Sequence, residues 1–267
     1  MKGDLRLAFC FPGQGSQSVG MGRGFHDASA GARAVFEEAS DALGLDLAKL
    51  CFEGPGETLQ LTANTQPAVL AVSVAATAVR AERGLEPSVV AGHSLGEYAA
   101  LVAAGALAFR DAVRLVRRRG EFMQEAVPVG TGAMAAILGL DLLVVEEICR
   151  EAGAGQVVDV ANINAPGQVV VAGHRAAVER AVALAARRGG RRSVLLPVSA
   201  PFHCRLMAPA AERLAAVLAG MPTAPPRLAV VRNVDAGLTT RADEVAPFLV
   251  RQVTAPVRWT ECVGRMA

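Results

Sequence analysis

Apolar and polar positions along this chain change period several times, and each change marks an element. Residues 5–11 form a short continuous apolar run, the pattern of a buried strand, and the glycine-rich residues 12–17 leave it as a loop. Helical periodicity covers 31–43 and 66–83, a second short strand is predicted over 88–91, and an alanine-rich helix over 98–106. Strands alternating with helices through short glycine loops predict an α/β core on a largely parallel sheet.

Further along, the pattern reads strand 134–139, helix 141–153, strands 157–162 and 168–172, helix 176–188 and strand 193–198. That β-α-β-β-α-β order is the order of a ferredoxin-like unit. Segments 127–132 and 197–201, with their prolines and glycines, are the expected hinges. The predicted organisation is a larger lobe, 1–127 with 199–267, and a smaller lobe inserted at 128–198. A cleft between two lobes is a favoured place for a ligand.

Composition narrows the class. With 267 residues, 52% hydrophobic and 19% charged, the chain can bury a sizeable core, which excludes disorder. A net charge of +2 argues against a dedicated nucleic-acid binder. The apolar stretches 68–79 and 98–109 fall well short of the roughly 20 residues of a spanning helix. Residues 5–11 are too few for the core of a signal peptide. The five cysteines are scattered, without a CxxC pair or a histidine at ligand spacing. Reduced thiols in a cytoplasmic protein without a metal are therefore expected.

The strongest chemical signal is Gly92-His93-Ser94-Leu95-Gly96, a G-x-S-x-G between a predicted strand and a predicted helix. In a nucleophile elbow the serine occupies a sharp turn, and the helix start offers unpaired N–H groups to a developing anion. The bland alternative is a tight turn that happens to contain serine. A serine hydroxyl needs a base. His26 lies in a polar segment, His93 is the variable elbow position, and His174 starts a helix, in a capping or exposed role. His203, after a predicted strand and later in the chain than the serine, is the candidate base. No acid between them stands out. Asp111, Asp141 and Asp159 are present, and a backbone carbonyl is an alternative third member.

Gly13 and Gly15 begin a G-x-G-x-x-G, but Ser18 stands in the third place, and no Lys-Ser/Thr pair makes a Walker loop. The loop's better use is to bring a backbone N–H, such as that of Gln14, to the serine as half of an oxyanion hole. On a helix over 111–124, Arg114, Arg117 and Arg118 share an ordinary solvated arc, whereas Arg119 points to the apolar side. A guanidinium is costly to bury without an anion. Its partner is an internal Asp or Glu, or its stem snorkels outward, or it is a socket for a substrate carboxylate.

These motifs occur in one order: Phe11-Pro-Gly-Gln-Gly-Ser-Gln17, Gly92-His-Ser-Leu-Gly-Glu-Tyr98, Arg119-Gly120, Asn162-Ile-Asn-Ala-Pro-Gly-Gln168, the His203 segment and Arg251-Gln252. Together they closely resemble the malonyl-CoA:acyl carrier protein transacylase family, from Leu5 to about Trp259. The resemblance implies an α/β-hydrolase-like large subdomain with an inserted ferredoxin-like small one. It makes Ser94 the malonyl-accepting nucleophile and His203 its general base. It makes Gln14 and Leu95 the oxyanion-hole amides, Arg119 the partner of the malonyl carboxylate and Gln252 the carbonyl that orients the histidine. Asn162 joins the substrate-binding positions. Phe202 resembles the bulky residue that disfavours an α-methyl branch, which favours malonyl over methylmalonyl.

The implied partners are malonyl-CoA and an acyl carrier protein, with no nucleic acid and no membrane. Thioester is exchanged for thioester, so no cofactor, ATP or metal is expected beyond the CoA thioester substrate. An acidic carrier could meet Arg187, Arg188, Arg191 and Arg192 or the Arg114/Arg117/Arg118 face, or each cluster is simply solvated. A monomer is the default. Family members usually run some forty residues beyond Ala267, with a Gly-Pro-Gly segment, so the expectation is a less stable form or a fragment. The competing readings are a serine hydrolase or thioesterase, a trans-acting acyltransferase of polyketide synthesis, and a weakly active carrier-docking subunit.

Overall fold

A computed structural model describes residues 7–267, so residues 5 and 6 of the first predicted strand lie outside the described residues. The chain opens with β1 (Ala8–Phe11) and continues through α1 (Arg23–Ala28), α2 (Ala30–Leu43), α3 (Leu47–Glu53), α4 (Gly56–Gln60) and α5 (Thr62–Glu82). β2 (Val89–Gly92) leads into α6 (Gly96–Ala103) and α7 (Phe109–Glu125). The middle of the chain holds β3 (Gly132–Leu138), α8 (Leu142–Gly153), β4 (Val158–Ala165), β5 (Gln168–His174), α9 (Arg175–Arg187) and β6 (Arg192–Leu195). A 3₁₀ turn at Arg205–Met207 precedes α10 (Ala208–Leu218), β7 (Ala229–Val231), β8 (Leu238–Thr239), α11 (Ala242–Thr254) and α12 (Trp259–Met266).

Two sheets organise these elements. The first has the order β1-β2-β7-β8, in which β1, β2 and β7 are parallel and β8 is antiparallel. β2 lies between two parallel neighbours and is a four-residue apolar run, as a strand covered on both faces requires. The second sheet has the order β4-β5-β3-β6, all antiparallel, and α8 and α9 pack on it. This is the ferredoxin-like unit inserted in an α/β-hydrolase-like lobe.

The period-2 pattern of the second sheet explains how the lobes join. Ala133, Ala135 and Ile137 of β3, with Val169 and Val171 of β5, face the small core under α8 and α9. Met134, Val170 and Ala172, the alternate positions, belong to the large core. The sheet is therefore apolar on both faces, one for its own helices and one for the other lobe. β6 is shorter than the predicted strand over 193–198. Leu196 N still donates to Met134 O at 2.9 Å, but Pro197 has no N–H with which to continue the ladder.

Candidate active site

Three residues separate the end of β2 from the start of α6, and Ser94 is the middle one. Its φ of 53° lies in the left-handed region, which costs a non-glycine residue roughly 1–2 kcal/mol. The flanking glycines are a steric requirement. A Cβ on Gly92 would stand 1.8 Å from the carbonyl carbon of Gly96, and one on Gly96 would stand 2.3 Å from Phe11 O. Strand, turn and helix meet too closely here for a side chain at either glycine.

His203 lies on the segment that returns from the small lobe to the large one. Its Nε2 is 2.6 Å from Ser94 Oγ and its Nδ1 is 2.9 Å from the carbonyl oxygen of Gln252. A carbonyl only accepts, so Nδ1 carries the proton and Nε2 meets the serine as an acceptor. A backbone carbonyl thus stands where many triads have an acid. Burial, and after it the Arg119 guanidinium, push His203 down to about 3. The imidazole is neutral near neutral pH, the state a base needs. The reason for its position differs from the one expected. The strand before it belongs to the antiparallel sheet, and His203, with φ 59°, is carried by an irregular segment and not by the end of a parallel strand.

Arg119 is 2% exposed on the apolar side of α7, which excludes snorkelling. Gly120 beside it lets α7 press against α5, because a Cβ there would stand 2.8 Å from Thr62 O. That approach delivers Gln66 of α5, whose Oε1 accepts from Arg119 Nη1 at 2.8 Å. Nη2 donates to Gln252 Oε1 at 3.0 Å and to Ser94 Oγ at 3.1 Å, and the guanidinium carbon lies 5.3 Å from the centre of the Tyr98 ring. Every acceptor is neutral. Among the described residues, no ion pair engages Arg119, and its Nε has no acceptor. A buried cation without its anion, bonded to a serine hydroxyl, can receive the carboxylate of a ligand.

A cavity of about 760 Å³ opens on these groups. Its polar lining includes Gln14, Glu57, Ser94, Arg119, Asn162 and His203, and its apolar walls include Met123, Met134, Leu196 and Phe202. Phe202, next to the base in the chain, lines the cavity and is 8% exposed. Gln252 is fully buried behind this lining, where it bonds to Arg119, His203, Glu97 and the Ser94 carbonyl. Neither the Leu95 nor the Gln14 amide N–H donates to another group among the described residues, so neither is committed to an internal acceptor. Asn162 lines the cavity, but the tie from its motif to the elbow comes from Asn164, whose Oδ1 is 2.9 Å from His93 Nε2. No group of three or more His, Cys, Asp or Glu able to hold a metal occurs among the described residues. No helix there is long and apolar enough to cross a membrane.

Comparison with known proteins decides the family. Residues 8–267 match the model of the acyl transferase domain. The malonyl CoA-acyl carrier protein transacylase of Escherichia coli (strain K12) is 52% identical over 98% of this chain and 85% of its own. This chain belongs to the malonyl-CoA:acyl carrier protein transacylase family. A solved structure of an acyl carrier protein S-malonyltransferase from Vibrio cholerae superposes with a TM-score of 0.96 at 49% identity, covering 98% of this chain and 86% of that one. A second, of a malonyl-transacylase in complex with a type II PKS acyl-carrier protein, gives a TM-score of 0.95 at 50% identity, covering 97% and 84%.

Three residues of this transacylase family member were given no role by the sequence reading. Gln66 is a buried polar residue that leads into the apolar stretch 67–72 of α5. Glu97 follows the elbow, is 3% exposed, and accepts from Gln252 Nε2 at 2.7 Å and from Asn233 N at 3.2 Å. Burial pushes its carboxyl up to about 7. Asn233 lies beyond β7, in a region where no strand was predicted. One usable hint was present: Gln66 is on a buried stripe, and a buried amide needs a partner.

Proposed function

We propose that this protein transfers a malonyl group from malonyl-CoA to the phosphopantetheine thiol of an acyl carrier protein, as a step of fatty-acid synthesis. The observation that carries the reading is the convergence of His203 Nε2 at 2.6 Å and Arg119 Nη2 at 3.1 Å on one hydroxyl, that of Ser94. Ser94 Oγ attacks the thioester carbonyl while His203 Nε2 takes its proton. The Leu95 and Gln14 amides hold the oxyanion, each worth a factor of roughly 10² to 10³. Collapse breaks the C–S bond, and the CoA thiolate leaves with the proton from His203. The carrier thiol then repeats the sequence on the malonyl-serine ester, and Ser94 regains its proton.

Arg119 pairs with the free carboxylate, and Phe202 narrows the site against an α-methyl branch. The lobe formed by 1–127 and 199–267 carries the nucleophile, and 128–198 closes the cleft with Asn162. In this reading the enzyme is a cytoplasmic monomer and needs no metal or cofactor, because the CoA thioester brings the activation. A relative solved with a type II PKS acyl-carrier protein supports a carrier as second substrate. Intact-protein mass after brief mixing with malonyl-CoA tests the reading. A malonyl adduct that persists in water and disappears onto a holo carrier protein is expected. An adduct lost equally fast without carrier would make the protein a hydrolase.

A further inference from the structure

A side chain completes the ladder at the end of β2. β2 and β7 pair in parallel through Val89↔Ala229, Val90↔Val230 and Ala91↔Val231, and the same register carried onward sets His93 opposite Asn233. In a parallel ladder, a residue donates to the carbonyl before its partner and accepts from the N–H after it. Backbone pairing stops at Ala91, because the chain must turn into the left-handed region at Ser94. The Asn233 carboxamide makes the two bonds that the backbone does not. Its Nδ2 donates to Gly92 O at 2.7 Å, and its Oδ1 accepts from Ser94 N at 2.6 Å. The Asn233 backbone is used elsewhere, its N–H donating to Glu97 Oε2 at 3.2 Å and its carbonyl accepting from Arg258 N at 2.9 Å. The residue is fully buried.

We infer that Asn233 is the positioning residue of the nucleophile. Its carboxamide stands in for a peptide group across the elbow, and so holds Ser94 in its strained turn with Oγ in reach of His203. The inference rests on the reading of Ser94 as nucleophile. Few side chains can substitute. Leucine fills the space but bonds to neither group, and alanine leaves a void and two unpaired backbone groups. An ionised aspartate accepts from Ser94 N but presents a second acceptor to Gly92 O. A protonated aspartate supplies the donor again.

The test compares the wild type with Asn233→Ala and Asn233→Asp in time-resolved malonyl labelling by malonyl-CoA, with Tm measured on the same samples. The alanine variant is expected to lose labelling rate at saturation on the order of 10²-fold, as misplacement of a reacting atom does. Its half-saturating malonyl-CoA concentration should change little, because Arg119 is untouched. The aspartate variant should label as slowly above neutral pH, and recover by roughly tenfold relative to wild type as its carboxyl is protonated. The alanine variant should not recover. Glu97, which faces Asn233, is common to the wild type and the alanine variant and cancels between them. In the aspartate variant it and the new carboxyl titrate as a coupled pair, so the recovery is read against both other proteins. A variant that loses Tm but labels at the wild-type rate overturns the inference. So does an aspartate variant whose pH profile runs parallel to the wild type. If the alanine variant does not fold, the aspartate profile decides alone. A wild type that takes no label overturns the Ser94 reading instead.

Discussion

The two sheets of this molecule obey the same physical rules to different degrees. The small antiparallel sheet keeps its alternation in β3 and β5, whose alternate residues face two cores, and breaks it only at two register shifts in β4. Its helices are amphipathic, and within it Asn162 alone is a buried polar side chain. The ends of the parallel strands are the opposite. Glu97, Arg119, His203, Asn233 and Gln252 are all buried there, and Ser94 and His203 both have positive φ. Local rules are broken where the chemistry is done, and the well-packed remainder of the fold stabilises the exceptions. The small sheet contributes a wall through Met134 and Asn162, whereas Ser94 comes from the turn after β2, Arg119 from α7 and His203 from the segment that returns from the small lobe.

The comparison can be broken at several points, of decreasing size. Ser94→Ala should abolish malonyl labelling, a loss of at least ~10⁴-fold, with little change in Tm. Labelling that persisted would put the nucleophile elsewhere. Arg119→Ala should cost malonyl transfer roughly 2–5 kcal/mol in kcat/KM, the usual penalty for truncating a buried charge pair. Acetyl transfer, which presents no carboxylate, should suffer far less, and an equal loss in both would make Arg119 structural. Ile148, fully buried under the small sheet, sharpens the contrast from the other side. Ile148→Ala should lower stability by about 2–5 kcal/mol in urea denaturation, while the folded variant keeps its kcat.

The smallest effect concerns Glu97. Its folded-state value is raised to about 7 by burial, so between the ordinary 4.5 and that value the folded protein holds a proton that the unfolded chain has released. Stability from this group is full below about 4.5 and is lost as pH rises through 7. Glu97→Gln should therefore gain on the wild type across that window, by up to roughly 3 kcal/mol at 1.36 per unit. Urea titrations of both proteins at several pH values measure the difference. His203, pushed down to about 3, tilts both curves the other way below 6.5, and the subtraction removes it.

How much of this was legible in the sequence follows from the range of each interaction. Periodicity located the small lobe's strands and helices to within a few residues, because a strand with two apolar faces and an amphipathic helix announce themselves locally. It was silent on the last quarter of the chain, where β7 has three residues and β8 two. Runs that short carry no period. The elbow was readable because its glycines, serine and helix start are consecutive. Arg119 was readable as an anomaly, a cation in an apolar stripe, although nothing local said which acceptors would hold it.

The sequence alone therefore determined the fold class, the candidate nucleophile and the expectation that a cation lies buried near it. Only the tertiary structure decided what each of these touches. The Gln252 carbonyl that orients His203 is 49 residues away, the Gln66 amide on Arg119 is 53 away, and the Asn233 carboxamide on Ser94 is 139 away. Such hydrogen bonds are worth little to the isolated segments that form them, because water satisfies the same groups in the unfolded chain. They acquire their value when packing excludes water and leaves one partner for each donor. That condition is set by how two sheets and a dozen helices come together, and no stretch of residues contains it.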